Sequence, residues 1–359
     1  MSKNQLSRRA TLKAASAAAA TTLMVRGAGH VAQAAAPEAS AITPELIDAA
    51  RKEGRIVFYS AMDLPVAEKL GKAFEASFSG IAVRVERSGS ERVFQRIAQE
   101  MESGIHAADV VNSADAAHFI VWKRNDWLAP CLPEEVAQHF PAQYYEPDGL
   151  WITSRVWLSS LGYNTNLVRG EDAPKGFSDL LDPKWMGKMV KAHPAYSGTI
   201  MTATFAIVRE LGWNYLERLA RQKVMQVQSS TDPPKKLALG ERAVMADGND
   251  YNLIQLKESG APVEVVYPAE GTPLVTGPSG VFKWAPNPNA ARLFQNWLHS
   301  REAQQLVVDF ARQHSVHRQV QEKPGARKLG EINLWKDDPA GVEKASEEIK
   351  SRYAQIFKV

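Results

Sequence analysis

Between Arg55 and Val111 short apolar runs alternate with amphipathic stretches at a pace that leaves few folds open. Arg55-Ile56-Val57-Phe58-Tyr59-Ser60 is rich in β-branched and aromatic residues and reads as a buried strand. Residues 65–78 carry Val66, Leu70, Phe74 and Phe78 on one helical stripe. Residues 81–85 alternate as a second strand. Ser88-Gly89-Ser90-Glu91 opens a helix over 92–103, and Asp109-Val110-Val111 is a third strand. Strand–helix–strand–helix–strand at this spacing predicts a parallel sheet with right-handed crossovers.

Upstream, Thr43 before Pro44 reads as a helix N-cap, with Gly54 ending that helix. Downstream, the stretch 176–245 repeats the style, and a helix and a strand follow it. Helices are expected at 177–182, 199–211, 213–221, 232–239 and 251–259. Strands are expected at 189–191, 243–246 and 263–267, with a strand and turn inside 152–165. A strand at 280–283, helices at 289–299 and 302–312, and helical segments near 340–357 complete the reading.

The first 34 residues are of another kind. Arg8-Arg9 and Lys13 precede an uncharged, Ala-rich run from Ala14 to Val25, and Ala32-Gln33-Ala34 supplies a small-residue cleavage pattern. The paired arginines resemble a twin-arginine export signal, with Thr11 where that class has an aromatic residue. Residues 1–34 are therefore expected to be removed, placing the product in the periplasm. The whole chain is formally +3, but five of its basic residues and none of its acids lie in 1–34. The remainder is close to −2, with mixed charges and no basic footprint for nucleic acid. The apolar run is shorter than the ~20 residues a membrane span needs, so the product is not expected to be embedded in a membrane. Cys131 is the only cysteine, which excludes an internal disulfide and a cysteine metal cluster. Beside Leu128 and Leu132 it reads as a small buried residue. The chain after position 34 exceeds the size at which one core usually stops growing. Two lobes without a flexible linker are the expectation.

Five separated stretches then carry a likeness. They are Val57-Phe58-Tyr59-Ser60-Ala61, Leu161-Gly162-Tyr163-Asn164-Thr165, and residues 180–188 around Asp182-Pro183-Lys184-Trp185. Residues 260–272, from Gly260 through Tyr267-Pro268 to Glu270-Gly271-Thr272, form the fourth, and Ala285-Pro286-Asn287-Pro288-Asn289 the fifth. In this order they resemble the periplasmic solute-binding proteins of ABC importers, in the subgroup of ferric-ion binders and relatives for organophosphates, phosphonates and thiamine. The resemblance implies an α/β type II periplasmic-binding fold: two lobes joined by crossing strands, with a ligand in the cleft and hinge closure upon it. It places lobe one at 45–150 plus 268–320, lobe two at 151–267 and a C-terminal helical segment at 321–359. An inner-membrane ABC permease is the implied partner.

In open α/β sheets ligands lie outside the carboxyl ends of strands. That rule alone selects Ser60, Ala61 and Asp63 after the first strand, Ser88, Gly89 and Ser90 after the second, residues 112–115 after the third, Ser197, Gly198 and Thr199 after the strand at 189, and Asp247 to Tyr251 after the strand at 243. Ser197-Gly198-Thr199 is the sharpest of these. A helix N-terminus offers free N–H donors and partial positive charge, Gly admits a close approach, and the hydroxyls add donors; a plain N-cap has the same sequence. The expected ligand is a small organic anion, a phosphorylated, phosphonate or carboxylate metabolite. Asp63 and Asp250 would accept from its other end, with Tyr251 stacking, Glu270 as a further acceptor and Arg155 as a bidentate partner. Ferric-binding relatives supply His, Glu and two adjacent Tyr; Asp63, Ala114 and Asp250-Tyr251 stand at those positions, so only Tyr251 is kept. Iron is the alternative cargo, and signalling to a membrane sensor kinase the alternative role. No metal or cofactor is otherwise called for. The chain carries no Gly-x-Ser-x-Gly elbow, Gly-rich phosphate loop or His-Glu-x-x-His, so it reads as a binder without catalytic residues. His314 and His317 read as surface residues near a late helix.

Overall fold

In a computed structural model, residues 38–324 and 326–359 are described; residues 1–34, expected to form an export signal, lie outside them. Helix α1 (Pro44–Glu53) is capped by Thr43, whose Oγ1 accepts from the Leu46 amide at 3.3 Å, and stops at Gly54 with φ of 73°. Strands β1 (Arg55–Ser60), β2 (Ala82–Arg87) and β3 (Val110–Asn112) pair in parallel, with β1 central. Helices α2 (Leu64–Ser77) and α3 (Ser90–Glu102) make the crossovers. Helix α4 (Ala117–Arg124), strand β4 (Leu128–Ala129) and helix α5 (Glu134–His139) fill the loop-rich stretch that follows. Both faces of this sheet are covered, which is why β1 can be apolar from Ile56 to Tyr59. Phe58 packs at 5.1 Å from Phe294, and Phe74 meets Phe294 and Trp297 edge-on at 5.1 and 5.5 Å. Truncating Phe74 to alanine there would cost about 3–5 kcal/mol. Cys131 is buried in this core, where burial pushes its thiol up to about 11.

Strand β5 (Ile152–Leu158) is a correction to the sequence reading, which grouped it with lobe two. It runs antiparallel to β11 (Thr272–Phe282) in the first sheet, and β11 also pairs antiparallel with β3. The first sheet is therefore mixed. The sequence reading had shown only the end of β11, because Pro273, Gly277, Pro278 and Gly280 punctuate it. A register shift between Gly277 and Pro278 accommodates the second proline.

The second sheet has the order β10-β6-β9-β7-β8, from β6 (Leu161–Asn164), β7 (Met189–Ala192), β8 (Met225–Val227), β9 (Val244–Met245) and β10 (Val263–Val266). Helices α6 (Gly198–Arg221), α7 (Asp232–Ala238) and α8 (Asp250–Glu258) belong to it. Gly212, at φ of 75°, breaks α6 where two helices were expected. The helix expected at 177–182 is instead a pair of short 3-10 turns, Ser178–Leu181 and Pro183–Trp185.

Helices α9 (Pro288–Leu298) and α10 (Arg301–Ala311) return to the first sheet. Strand β12 (Leu334–Trp335) then joins β11, and α11 (Pro339–Phe357) ends the chain. His314 and His317 are not surface residues: they are 6% and 2% exposed, and each meets a glutamate at 2.8 Å, Glu322 and Glu135 respectively. No helix among the described residues is long and apolar enough to cross a membrane.

Candidate functional site

The carboxyl ends of both sheets face one cavity with about 620 Å³ of empty space, part of it open to solvent. From the first sheet come Ala61 and Asp63 after β1, Arg87, Gly89 and Ser90 after β2, Ala114 after β3, and Arg155 and Trp157 from β5. From the second come Tyr196, Ser197 and Thr199 at the start of α6, Gln228 to Thr231 between β8 and α7, and Asn249 and Tyr251 at the start of α8. The walls touch. A methyl group on Gly89 would lie 3.2 Å from the Tyr196 carbonyl oxygen, and one on Gly198 would lie 2.6 Å from the Asp115 Cβ. Only glycine lets the two backbones approach this closely. Two polar contacts also bridge the walls: Asn252 Nδ2 donates to Asp63 at 3.0 Å, and Arg92 reaches Gln228 at 3.4 Å.

Arg155 dominates the electrostatics. It is 2% exposed and its guanidinium lies over the Trp157 ring at 4.5 Å. One amino group donates to Asn112 Oδ1 at 3.2 Å, while Nε has no partner. Among the described residues no carboxylate forms an ion pair with Arg155, Arg87 or Arg92; Arg87 spends its Nε on the Met62 carbonyl at 3.2 Å. Burial depresses the Arg155 pKa, with Tyr251 and Asp63 acting the other way. Three guanidinium groups thus line the cavity against one carboxylate, Asp63. An uncompensated buried cation is costly unless an anion joins it. Around it the first turns of α3 and α6 start at Gly89 and Ser197 without a side-chain cap, leaving N–H donors and the positive dipole ends available.

Of the residues singled out from sequence, Ala61, Asp63, Gly89, Ser90, Ala114, Arg155, Ser197, Thr199, Asn249 and Tyr251 line the cavity. The others do not. Ser60 is fully buried and accepts from the Met62 amide at 3.1 Å, shaping the turn rather than facing the cleft. Ser88 bonds through its amide to the Ser60 carbonyl. Gly198 is a contact between the walls. Asp250 turns away: it accepts from the Leu158 and Tyr251 amides at 3.1 and 2.8 Å, tying α8 to the end of β5. Glu270 accepts from the Phe177 and Ser178 amides at 3.0 and 2.9 Å and so organises that turn. Arg87, Arg92 and Gln228 to Thr231 escaped the sequence reading, whereas Asn249 lies in the stretch 247–251 that the strand-end rule selects. Gln228 to Thr231 were within reach of the strand-end rule had β8 been seen.

The donor set does not suit a ferric ion. Asp63 and the Tyr251 phenol face the cavity, but Ala114 offers only a methyl group and Asp250 is engaged elsewhere. Burial, with Asp63, pushes the Tyr251 pKa well above its ordinary value, opposing the phenolate. Glu91, Asp115 and His118 do lie together, but behind the cavity wall, bonded to one another, to Ser113 and to Lys350.

Residues 106–328 match the family model of bacterial extracellular solute-binding proteins. The chain belongs to that family. The motif-level resemblance to ferric-binding-type periplasmic solute-binding proteins of ABC transporters holds, and so does the two-lobe type II α/β fold. A probable ABC transporter periplasmic-binding protein of Sinorhizobium fredii is 23% identical over 241 residues, 64% of this chain and 66% of that one. The structure of the periplasmic binding protein AfuA from Actinobacillus pleuropneumoniae, with fructose-6-phosphate bound, superposes with a TM-score of 0.78. It is 24% identical and the match covers 86% of this solute-binding protein and 99% of AfuA. Iron-bound HitA from Pseudomonas aeruginosa gives 0.74 at 22% identity, over 84% and 99%. At these identities the two structures speak for the fold.

Proposed function

We propose that this solute-binding protein captures a small organic anion, one bearing a phosphate, phosphonate or carboxylate, between its two sheets in the periplasm and delivers it to an inner-membrane ABC permease. The observation that carries the reading is Arg155: a buried guanidinium, free of any carboxylate among the described residues, on the cavity wall beside two uncapped helix starts. The anionic group would take the Arg155 donors and the first-turn amides at Ser90 and Ser197 to Thr199. Asp63, Asn249 and the Gln228 to Thr231 hydroxyl-rich segment would hold hydroxyls at the far end. Trp157 and Tyr251, edge to face at 6.3 Å, give the cavity an apolar side. A phosphorylated sugar in AfuA supports the reading by analogy; the iron in HitA is the contrary analogy, and the donor set above weighs against it. Binding to the folded state raises the thermal midpoint by mass action. Thermal-shift screening against phosphate monoesters, phosphonates, carboxylates, polyamines and ferric citrate, confirmed by calorimetry, is the test. A rise with ferric citrate or polyamines and none with any organic anion would overturn it.

A further inference from the structure

The C-terminal helix α11 ties the two halves together away from the cavity. Its inner face belongs to the second half: Tyr353 is fully buried and donates to Gln226 Oε1 at 2.7 Å, and the Arg352 guanidinium lies over Trp213 at 4.4 Å. Its other flank meets the first half. Val342 and Ile349 pack with Met201 of α6 and with Ala117 of α4 in one buried apolar cluster. Arg124 of α4 reaches Glu343 with both amino groups at 3.1 Å. Lys350 Nζ lies 3.3 Å from Glu91 Oε2.

Glu91 is the informative partner. It is 5% exposed and sits in the first turn of α3, next to Ser90 on the cavity wall. Its other oxygen meets His118 Nε2 at 3.0 Å, and His118 lies 3.9 Å from Asp115. Asp115 in turn abuts Gly198, at the start of α6. The cluster therefore touches both helix starts that face the ligand cavity, and no member of it lines that cavity. Glu91, Asp115 and His118 all come from the first half, whereas the Lys350 ammonium comes from a helix whose core lies in the second. When the halves part, two buried carboxylates keep one imidazole and lose the ammonium. A buried charge stripped of its partner is strongly disfavoured.

We propose that Lys350 is a positioning residue for closure: its ion pair with Glu91 is made only when the halves meet, and it sets part of the ligand affinity without touching the ligand. It acts through the α3 start that presents Ser90. The proposal rests on the two-lobe closure of the reading above but not on the chemistry of the ligand.

The test uses the full mature chain with Lys350→Met, Lys350→Arg, Glu91→Gln and the Lys350→Met/Glu91→Gln double variant. Small-angle scattering and the distance between spin labels on the two halves are read first, with no ligand added. Lys350→Met and Glu91→Gln are each expected to raise the open-to-closed ratio about tenfold. Lys350→Arg should restore the wild-type ratio, and the double variant should be no more open than the worse single one. With inorganic phosphate as probe, any dissociation constant should follow the same order. Wild-type compactness in both single variants, or an arginine variant as open as the methionine one, would overturn the proposal. Because compactness is read without ligand, failure of the anion reading would leave this result standing, and the reverse.

Discussion

Replacing Arg155 by methionine is expected to separate binding from stability in opposite directions. Methionine keeps most of the stem volume and the contact with Trp157 but removes the charge. In the free protein the guanidinium gains a cation–π contact worth about 1–2 kcal/mol and one bond to Asn112 at 3.2 Å. Against that stands a full charge at 2% exposure with an unbonded Nε. Uncompensated burial of a charge outweighs gains of that size, so the free variant should melt at or above the wild-type midpoint. Binding should fall. One charge-assisted hydrogen bond contributes about 1.5–3 kcal/mol, and at ~1.4 kcal/mol per factor of ten the anion giving the largest thermal shift should bind roughly 10- to 150-fold more weakly. Paired differential scanning and titration calorimetry read both quantities. If the variant binds that anion within about threefold of wild type, the anionic group does not sit on Arg155. If the free variant instead melts far below wild type, the charge is already compensated within the protein and the argument for an anion collapses.

Ser197→Asp should not destabilise α6, since Ser197 makes no side-chain cap to lose and aspartate is favourable at a helix start. It should still weaken anion binding on the order of a thousandfold, because like charges ~4 Å apart repel by about 4 kcal/mol near a protein surface; unchanged affinity in calorimetry would place the anion elsewhere. Gly198→Ala pushes a methyl group to 2.6 Å from the Asp115 Cβ and 2.9 Å from the Ala114 carbonyl oxygen. It should lower affinity and enlarge the radius of gyration while leaving the melting of each half intact, and scattering decides. Burial, opposed by a bond from Thr276, raises the Asp337 carboxyl to about 6 from an ordinary 3.8. A raised carboxyl pKa makes the folded state bind the proton more tightly, so stability should fall as pH climbs from about 4 to 6. Asp337→Asn should recover on the order of 2 kcal/mol at pH 7 and almost nothing at pH 4; equal effects at both pH values in denaturant titrations would refute this.

How much of this was readable beforehand varied with the physics of each segment. β1 and β3 were legible because strands buried on both faces need near-continuous apolar residues, and β2, half exposed, by its alternation. β11 was mostly hidden: its prolines and glycines are turn residues by local preference, and only pairing with β3 and β5 holds them extended. The strand-end rule found Asp63, Ser90 and Ser197 without any structure. It failed for Asp250 because position in a loop does not fix where a side chain points; that carboxylate is spent on the Leu158 amide. Arg155 could be named from sequence but not placed, since nothing local distinguishes a solvated strand arginine, the commoner case, from one sealed over a tryptophan. Missing β8 removed a whole wall, Gln228 to Thr231. Its sequence, Met225-Gln226-Val227, is too short to show a period.

The ladder between β5 and β11 carries a mechanical consequence. Both strands are anchored in one sheet, and both leave for the other sheet from the same end of that ladder, through Ser159-Ser160 and through residues 267–271. The Ser159 amide still bonds to Pro273, and Ser160 already bonds to Gly248 across the divide, at 3.0 and 2.8 Å. Two tethers set side by side behave as the spine of a book. On the closure proposed above, such a spine would favour swinging over sliding or twisting, so that binding would change chiefly one angle between the halves.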